Sequence, residues 1–283
     1  MRILVTGSNG QLGQEFKKNV SNSDHEFFFT DENELDIINK NHILNYVSHN
    51  QIDLIINCAA YTNVSESETN KNLAIKVNCD AVKNLIEICE DKKLKMIHFS
   101  TDYVYNSDNL NPIKEDSKIN PINYYGFSKR EGEKIIEKSS SESIIIRTSW
   151  LYSIFGNNFV KTMIKKGENQ EKIYVINDQF GCPTYSKDLV DCTLHIIASN
   201  KFKNHKIYNF SNEGYTNWFD FTKKIFELRG INCKVLPVDS DNYTTKATRP
   251  KYSITDKSRI KDIFNINIRN WDEALEEFII NYK

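Results

Sequence analysis

Short apolar runs alternate with longer, helix-like segments through the first half of this chain. The runs are apolar on consecutive positions, which is typical of strands that are covered on both faces. Alternation of such strands with crossover helices predicts a parallel sheet with helices on both sides, which is a doubly wound α/β fold. The predicted strands are Ile3–Val5, Glu26–Phe29, Leu54–Ile56, Met96–Phe99 and Ile144–Ile146.

The second half of the chain has shorter elements and more aromatic loops, which indicates a smaller C-terminal lobe around one returning strand, Ile207–Phe210. We predict one larger domain over residues 1–149, with residues 179–210 returning to it. Residues 150–178 and 211–283 then form the smaller lobe. Apolar residues at helical spacing predict a helix at Ala74–Cys89, and further helical stretches are expected near Lys187–Ser199, Asn217–Arg229 and Trp271–Tyr282. Gln14–Val20 can form another helix after the first strand and its turn.

A glycine-rich turn, GSNGQLG, follows the first predicted strand and contains Gly7, Gly10 and Gly13. In dinucleotide-binding folds one glycine permits a tight turn, another lets the backbone approach a pyrophosphate, and a third allows close packing of helix on strand. The phosphates then meet the positive end of the following helix. The turn therefore predicts a Rossmann-type dinucleotide-binding domain at residues 1–149, with the smaller lobe binding the substrate.

Two acids that follow the second predicted strand are candidates for binding the adenosine ribose of such a cofactor. Asp31 comes shortly after the strand, and Asp36 lies in the LDI segment beyond it. A carboxylate at this place hydrogen-bonds the ribose hydroxyls and disfavours the additional phosphate of NADP. The sequence leaves both acids open, and with them both NADPH and NADH.

Side chains suited to hydride-transfer chemistry occur at two places. Tyr125 and Lys129 are four residues apart, so on a helix they share one face. An ammonium group of Lys129 near the phenol would lower the pKa of Tyr125 and make it a usable acid at neutral pH. Ser100 and Thr101 end the fourth predicted strand, at the edge where ligands of open α/β sheets bind. A hydroxyl there can stabilise the oxygen on which charge develops while Tyr125 supplies the proton.

The composition narrows the functional class. A net charge of -1 offers no basic surface for nucleic acid or an anionic membrane. Six cysteines occur singly, without a C-x-x-C pair, and six histidines show no metal-ligand spacing. No stretch approaches the roughly 20 apolar residues of a membrane helix, and the first apolar run is too short for a signal peptide. We expect a cytoplasmic protein with reduced thiols and a small-molecule substrate.

With these residues in place, the chain resembles the dTDP-4-dehydrorhamnose reductases, a family within the extended short-chain dehydrogenases. The resemblance runs nearly end to end along the chain. The motifs that carry it are GSNGQLG, NCAAYT, Val77–Asn78, STDYVY, YG-x-SK-x-x-GE, RTSWLY, DQFGCPT and ATRPKYS. The resemblance implies NADPH- or NADH-dependent reduction of the 4-keto group of dTDP-4-dehydro-L-rhamnose to dTDP-L-rhamnose, a donor for surface polysaccharide.

The resemblance also implies roles for individual residues. The catalytic positions are Thr101, Tyr125 and Lys129, and the substrate-contacting positions are Thr101, Asp102 and Trp150. Arg249 is a candidate clamp for the nucleotide diphosphate, because a guanidinium group matches phosphate geometry. The cofactor-contacting positions are Gly7, Gly10, Gln11, Leu12, Ala60, Tyr61 and Thr62, with Tyr125 and Lys129 at the nicotinamide ribose.

Two departures from the family pattern leave details open. Where many members have V-D-K-A-E, this chain has V-S-E-S-E at Val64–Glu68, which loses an acid and a base near the site and leaves the sugar preference open. Some members bind Mg²⁺ at a dimer interface through acids that include one matching Glu15, but Lys187 stands where another glutamate is expected. We therefore predict no metal, and both a monomer and a homodimer stay open.

Two other functions stay open on the same fold. Nucleotide-sugar dehydratases carry an acid pair where this chain has Asp102–Tyr103, so the second carboxylate needed to eliminate water is missing. This argues against a dehydratase more than against an epimerase. A non-catalytic binding subunit is the other alternative, since the regulatory subunit of methionine adenosyltransferase resembles the same family and a fold alone does not decide function. The presence of Thr101, Tyr125 and Lys129 together favours an enzyme.

Overall fold

The computed structural model describes residues 1–21, 23–202, 207–243 and 245–282. Within these residues, six strands form a central sheet in which every neighbouring pair is parallel. The strands are β1 (Arg2–Thr6), β2 (Glu26–Thr30), β3 (Leu54–Asn57), β4 (Lys95–Thr101), β5 (Ser143–Thr148) and β10 (Ile207–Asn209). Their spatial order is β10-β5-β4-β3-β1-β2, so the strand order reverses between β1 and β3. A crevice at the carboxyl ends of the strands is expected at such a reversal.

Helices pack on both faces of this sheet, because successive strand residues point to opposite sides. Ile3 and Val5 face one apolar cluster, whereas Leu4 faces another. The helices are α1 (Gln11–Asn19), α2 (Lys40–His49), α3 (Val64–Ser67), α4 (Lys71–Ile75), α5 (Ala81–Lys92), α6 (Tyr124–Lys138), α7 (Phe159–Asn169), α8 (Ser186–Ser199), α9 (Trp218–Arg229), α10 (Ser258–Phe264) and α11 (Trp271–Asn281). Helices α1, α8 and α10 contribute to the first cluster, and α2, α5 and α6 contribute to the second.

A third apolar cluster lies in the C-terminal half and joins α7, α9 and α11, with Tyr152 and Phe278 among its buried side chains. Short strands border it in smaller sheets of order β11-β8-β13, β12-β7 and β6-β9. These strands are β6 (Leu151–Tyr152), β7 (Lys172–Ile176), β8 (Phe180–Gly181), β9 (Thr184–Tyr185), β11 (Thr216–Asn217), β12 (Lys234–Val238) and β13 (Tyr252–Ser253).

The predicted α/β fold class, with its doubly wound parallel sheet, is confirmed, and each strand predicted for the sheet is present in it. The division of the chain at residue 149 stays a prediction, although β10 does lie beside β5 in the central sheet. Two predicted helices differ from the structure. Helix α1 begins at Gln11 rather than Gln14, and the helix expected at Ala74–Cys89 is interrupted by a π-helical segment, Lys76–Asp80. Such segments often occur at functional sites, and this one carries Asn78.

Candidate active site

A cavity of about 1170 Å³ crosses the carboxyl ends of the central strands and extends to α7 and α9. The residues predicted from the sequence to be catalytic, cofactor-binding or substrate-binding all line this cavity. These residues are Gly7, Gly10, Gln11, Leu12, Asp31, Asp36, Ala60, Tyr61, Thr62, Thr101, Asp102, Tyr125, Lys129, Trp150 and Arg249. Their individual roles stay predictions, but all of them lie around the same cavity, as a common site requires.

The glycine-rich turn has the shape that a bound pyrophosphate requires. Gly7 has a φ of +65°, and a Cβ there would lie 2.6 Å from the backbone of Ala59. A Cβ on Gly13 would lie 2.5 Å from the carbonyl oxygen of Gly7, so both positions require glycine. A Cβ on Gly10 would meet that same oxygen at 3.3 Å and no other atom within 4 Å, so this side of the turn is open. Helix α1 begins next to it without a side-chain cap, which leaves backbone N–H groups for an anion.

The two acidic candidates for the ribose differ in their surroundings. Asp31 follows β2 and accepts a hydrogen bond from the side chain of Asn9, which belongs to the glycine-rich turn. The carboxylate of Asp36 accepts a hydrogen bond of 2.9 Å from the backbone N–H of Ile38 and so stabilises its own loop. Asp31 is therefore the acid that the structure links to the glycine-rich turn.

Close backbone contacts fix helix α6, which carries Tyr125 and Lys129. A Cβ on Gly126 would lie 2.2 Å from the carbonyl oxygen of Tyr103, and a Cβ on Gly132 would lie 2.2 Å from that of Asn78. These contacts explain the glycines of the YG-x-SK-x-x-GE motif, because only glycine lets the helix approach so closely.

The N-terminus of α6 is capped from two directions. The side chain of Asn123 accepts a hydrogen bond of 2.8 Å from the N–H of Gly126. Glu68, which belongs to the divergent V-S-E-S-E segment, accepts one of 2.8 Å from the N–H of Tyr124. Negative charge is favourable at a helix N-terminus. This segment therefore helps to position α6, and Ser65 within it lines the cavity.

The hydroxyl of Thr101 connects the groups at the end of β4. It accepts a hydrogen bond of 3.2 Å from the N–H of Tyr103, donates one of 3.1 Å to Asp102, and lies beside the phenol of Tyr125. Asp102 also accepts a hydrogen bond from Ser253. Burial raises the pKa of Asp102 to about 6 and raises that of Tyr125 above its usual value. The phenol is thus protonated at neutral pH and lies against a second hydroxyl.

The position of Lys129 corrects one prediction. Its Nζ donates a hydrogen bond of 2.7 Å to the carbonyl oxygen of Phe99 and lies 3.3 Å from Nε2 of His98. The side chain is 2% exposed and turns inward along β4 instead of pairing with Tyr125. The expectation that Lys129 lowers the pKa of Tyr125 is therefore wrong for this arrangement, in which burial raises the pKa of the phenol. Burial also lowers the pKa of Lys129, to about 8.

The side of the cavity near the C-terminal half is aromatic and strained. Trp150 has a φ of +45°, a region that is rare for a bulky residue, and stacks on Trp218 with ring centroids 3.3 Å apart. The ring centroids of Phe159 and Trp218 are 4.3 Å apart. Strained residues of this kind are concentrated at functional sites. Trp218 and Phe159 were not singled out from the sequence, and their helical segments alone carried no signal of a site.

Arg249 lies at the same cavity, beside the phenol of Tyr103. Its Nε is buried and has no hydrogen-bond partner among the residues described. A buried donor without a partner is costly, so a ligand acceptor at this place would be favourable. The geometry is therefore compatible with the diphosphate clamp implied by the family resemblance.

Sequence reasoning also missed the polar residues behind the site. The side chain of Asn78 accepts a hydrogen bond of 2.9 Å from the N–H of Tyr61 and donates to the carbonyl oxygen of Tyr61 and to Ser128, at 3.0 and 2.9 Å. It thereby ties the Ala60–Thr62 loop to α6. Asn78 belongs to the Val77–Asn78 motif quoted above, so the signal was present, but its role depends on a contact 50 residues along the chain.

Two further expectations from the sequence concern a metal ion and a membrane. In the described parts of the chain, no three His, Cys, Asp or Glu side chains form a group that could hold a metal ion, and none of the helices has the length and hydrophobicity of a membrane span. Glu15 is buried and accepts a hydrogen bond of 2.6 Å from Ser153, while Lys187 pairs with Asp191 at 2.8 Å. The expectation of no metal stays a prediction.

Comparison with known proteins agrees with this geometry. The family model described as RmlD substrate binding domain matches residues 1–283. A dTDP-4-dehydrorhamnose reductase of Aggregatibacter actinomycetemcomitans is 36% identical and is aligned over 97% of each chain. The spore coat polysaccharide biosynthesis protein SpsK of Bacillus subtilis is 34% identical, over 98% of this chain and 96% of that protein.

Solved structures lead to the same family. The structure of a dTDP-4-dehydrorhamnose reductase from Bacillus anthracis in complex with NADP has a TM-score of 0.95, is 36% identical and covers 99% of both chains. The family predicted from the sequence motifs is confirmed. This chain belongs to the dTDP-4-dehydrorhamnose reductases, the family of the RmlD substrate binding domain.

Proposed function

We propose that this protein catalyses the NADPH- or NADH-dependent reduction of the 4-keto group of dTDP-4-dehydro-L-rhamnose to dTDP-L-rhamnose. The observation that carries the proposal is the meeting of the Thr101–Tyr125 hydroxyl pair with the glycine-rich turn in one cavity. Relatives that are aligned over nearly their whole length are named for this reaction, and one of them is a complex with NADP. We further propose a cytoplasmic setting, with monomer and homodimer both open.

The cofactor would lie along the glycine-rich turn. Gly7 and Gly10 leave room for the pyrophosphate, which the free N–H groups at the start of α1 would bind. Asp31, whose carboxylate is hydrogen-bonded to Asn9 of the glycine-rich turn, would bind the adenosine ribose, with Asp36 as the alternative. The loop formed by Ala60–Thr62 borders the path toward the nicotinamide end, where Lys129 would contact the ribose. The reduced nicotinamide would supply the hydride to the keto carbon.

The protein supplies the proton and stabilises the developing charge. Because burial raises the pKa of Tyr125, the phenol keeps its proton at neutral pH and can donate it to the oxygen of the keto group as hydride arrives. The hydroxyl of Thr101, which lies beside the phenol, would turn its proton from Asp102 to the same oxygen. On the far side, Trp150 would contact the sugar and Arg249 the diphosphate.

The rival functions are weaker on this geometry. A dehydratase needs a second carboxylate beside Asp102, and the neighbouring position is Tyr103, which is buried and lies beside Arg249. Burial raises the pKa of Tyr103 to about 12, so it is not an anionic base at neutral pH. A non-catalytic binding subunit does not require the hydroxyls of Thr101 and Tyr125 to lie side by side in a cavity, whereas a reductase does.

The test is oxidation of NADPH and NADH in the presence of dTDP-4-dehydro-L-rhamnose, generated from dTDP-glucose by an upstream dehydratase and epimerase. We expect turnover that requires the epimerase, and a loss of about 10² to 10⁴-fold in kcat for Tyr125→Phe with cofactor binding retained. Tyr124→Phe is the matched control, because Tyr124 precedes Tyr125 on α6 but packs on Phe127 and does not line the cavity. Near-normal turnover by Tyr125→Phe would contradict the mechanism.

A further inference from the structure

A buried chain of hydrogen bonds lies behind Lys129 and connects three strands. Thr6 on β1 donates its hydroxyl proton to Oδ1 of Asn57 on β3, at 2.7 Å. Nδ2 of Asn57 lies 3.0 Å from Nδ1 of His98 on β4, and Nε2 of His98 lies 3.3 Å from Nζ of Lys129. The four side chains are at most 2% exposed. Inside a protein such contacts are strong when donors and acceptors match, and costly when they do not.

The backbone determines which way Asn57 is oriented. Oδ1 of Asn57 accepts a second hydrogen bond, of 3.2 Å, from the backbone N–H of Ala59. A backbone N–H can only donate, so turning the amide over would bring its NH₂ group against another donor. The amide nitrogen of Asn57 therefore faces His98, and Nδ1 of His98 must accept.

This orientation determines the tautomer of His98. Burial lowers the pKa of His98 well below its usual value, so the ring is neutral and carries one N–H. With Nδ1 accepting from Asn57, the proton is on Nε2, which faces Nζ of Lys129. An ammonium group has donors only and opposes this N–H, whereas a neutral amine can accept from His98 and still donate to the carbonyl oxygen of Phe99.

We propose that Asn57 fixes His98 as the Nε2–H tautomer and that His98 is thereby a positioning residue for Lys129. As a neutral amine, Lys129 is held inward by His98. As an ammonium group, Lys129 turns outward toward Tyr125. The charge and the position of Lys129 are thus linked. In the outward position the ammonium group can lower the pKa of the phenol, which the inward position does not allow. The effect of this linkage on catalysis rests on the proposed reduction. The tautomer of His98 and the charge of Lys129 do not depend on it.

Other groups around Lys129 are consistent with this linkage. Glu133, one turn later on α6, favours the ammonium form, but its carboxylate is bound to Arg147 at 2.7 Å and to Arg130 at 2.9 Å. Burial raises the pKa of the Cys58 thiol, so that group beyond β3 stays neutral. Burial itself lowers the pKa of Lys129 to about 8. With this pKa the amine and ammonium forms of Lys129 are balanced around pH 8, so a small change at His98 can shift the balance between them there.

The first test is the tautomer of His98 in the free protein, measured by long-range ¹H–¹⁵N NMR on protein with ¹⁵N-labelled histidine. We expect the proton on Nε2 throughout the neutral range. His195 is the internal reference, because its Nε2 lies 2.8 Å from the carbonyl oxygen of Phe264, which can only accept. A proton on Nδ1 of His98, or a charged ring, would overturn the proposal without any variant having to fold.

The second test is the pKa of Lys129, followed in the free protein by NMR of ¹³Cε-labelled lysine, with its signal assigned by its loss in Lys129→Met. In His98→Gln the side-chain amide can rotate to present its oxygen, so we expect the pKa of Lys129 to rise by at least about one pH unit. Asn57→Asp, whose carboxylate accepts from Nδ1–H, should change the tautomer and raise the pKa in the same direction.

The matched control is His195→Gln, which should leave the pKa of Lys129 unchanged. An unchanged Lys129 pKa in His98→Gln would overturn the positioning role. Neither test uses substrate, so both can succeed even where the reductase assay fails. If the reductase assay succeeds and His98 carries its proton on Nδ1, the proposed function stands and this inference alone is refuted.

Discussion

A buried ion pair ties the helix that carries Tyr125 and Lys129 to the central sheet. Both carboxylate oxygens of Glu133 on α6 accept from the guanidinium group of Arg147 on β5, at 2.8 and 2.7 Å. The side chains of Glu133 and Arg147 are 0% and 1% exposed. Burial alone would raise the pKa of Glu133, but the hydrogen bonds and the charge of Arg147, together with Ser100 and Arg130, outweigh it and hold the pKa below its usual value. We expect this pair to be a major determinant of the position of α6.

Glu133→Gln should cost about 3 kcal/mol of unfolding free energy. Removing one partner of a buried pair costs about 3 to 5 kcal/mol, because the other charge stays buried. The lower end applies because the glutamine oxygen can still accept one hydrogen bond, and because Arg147 keeps the phenol of Tyr105 at 2.6 Å and the carbonyl oxygen of Glu115 at 3.0 Å. In a chain of this size the loss corresponds to a drop in Tm of roughly 6 to 12 °C.

Urea denaturation followed by circular dichroism at neutral pH measures the loss. Glu137→Gln is the matched control, since Glu137 binds Arg130 at 2.6 Å on the same helix but is 30% exposed, and we expect it to cost less than about 1 kcal/mol. The stability due to ionised Glu133 is present above the unfolded pKa of about 4.5 and is lost as pH falls. The difference in unfolding free energy between wild type and Glu133→Gln should therefore become smaller in acid. A Glu133→Gln protein as stable as Glu137→Gln would refute the reasoning.

Two further predictions concern the site itself. Gly126→Ala places a Cβ 2.2 Å from the carbonyl oxygen of Tyr103, so α6 must shift and kcat should fall about 10²-fold. Gly230→Ala strains a φ of +65° at the end of α9 but brings its Cβ within 4 Å of nothing beyond its chain neighbours, so it should lose some stability and keep its activity. Equal activity of the two variants would contradict this. Burial raises the pKa of Asp102 to about 6, so the folded protein should lose up to about 3 kcal/mol of stability as pH rises from about 4 to about 6. Asp102→Asn should lack this loss in urea denaturation, and parallel stability profiles of variant and wild type would contradict it.

The strands of the sheet could be predicted because both faces are covered, so consecutive positions such as Ile3 to Val5 are apolar whichever face they meet. The predicted start of α1 is three residues late, because the prediction counts all of GSNGQLG as turn, whereas the helix begins directly after Gly10 and includes Gly13. The π-helical segment was missed for a different reason. It brings Asn78 to hydrogen bonds with Tyr61 and Ser128, and such partners are not visible in the periodicity of the segment itself.

The Tyr125–Lys129 pair shows where spacing stops being informative. Four-residue spacing places two side chains on one helix face. A long lysine side chain on that face can still contact either a residue of its own helix or the strand against which the helix packs. Here the carbonyl oxygen of Phe99 and the ring of His98 lie beneath, and both come from β4 rather than from α6. The direction of Lys129 therefore depends on its charge and on the strand that α6 crosses. If the ammonium form turns outward, the predicted effect on Tyr125 is conditional on protonation of Lys129 and is not contained in the spacing.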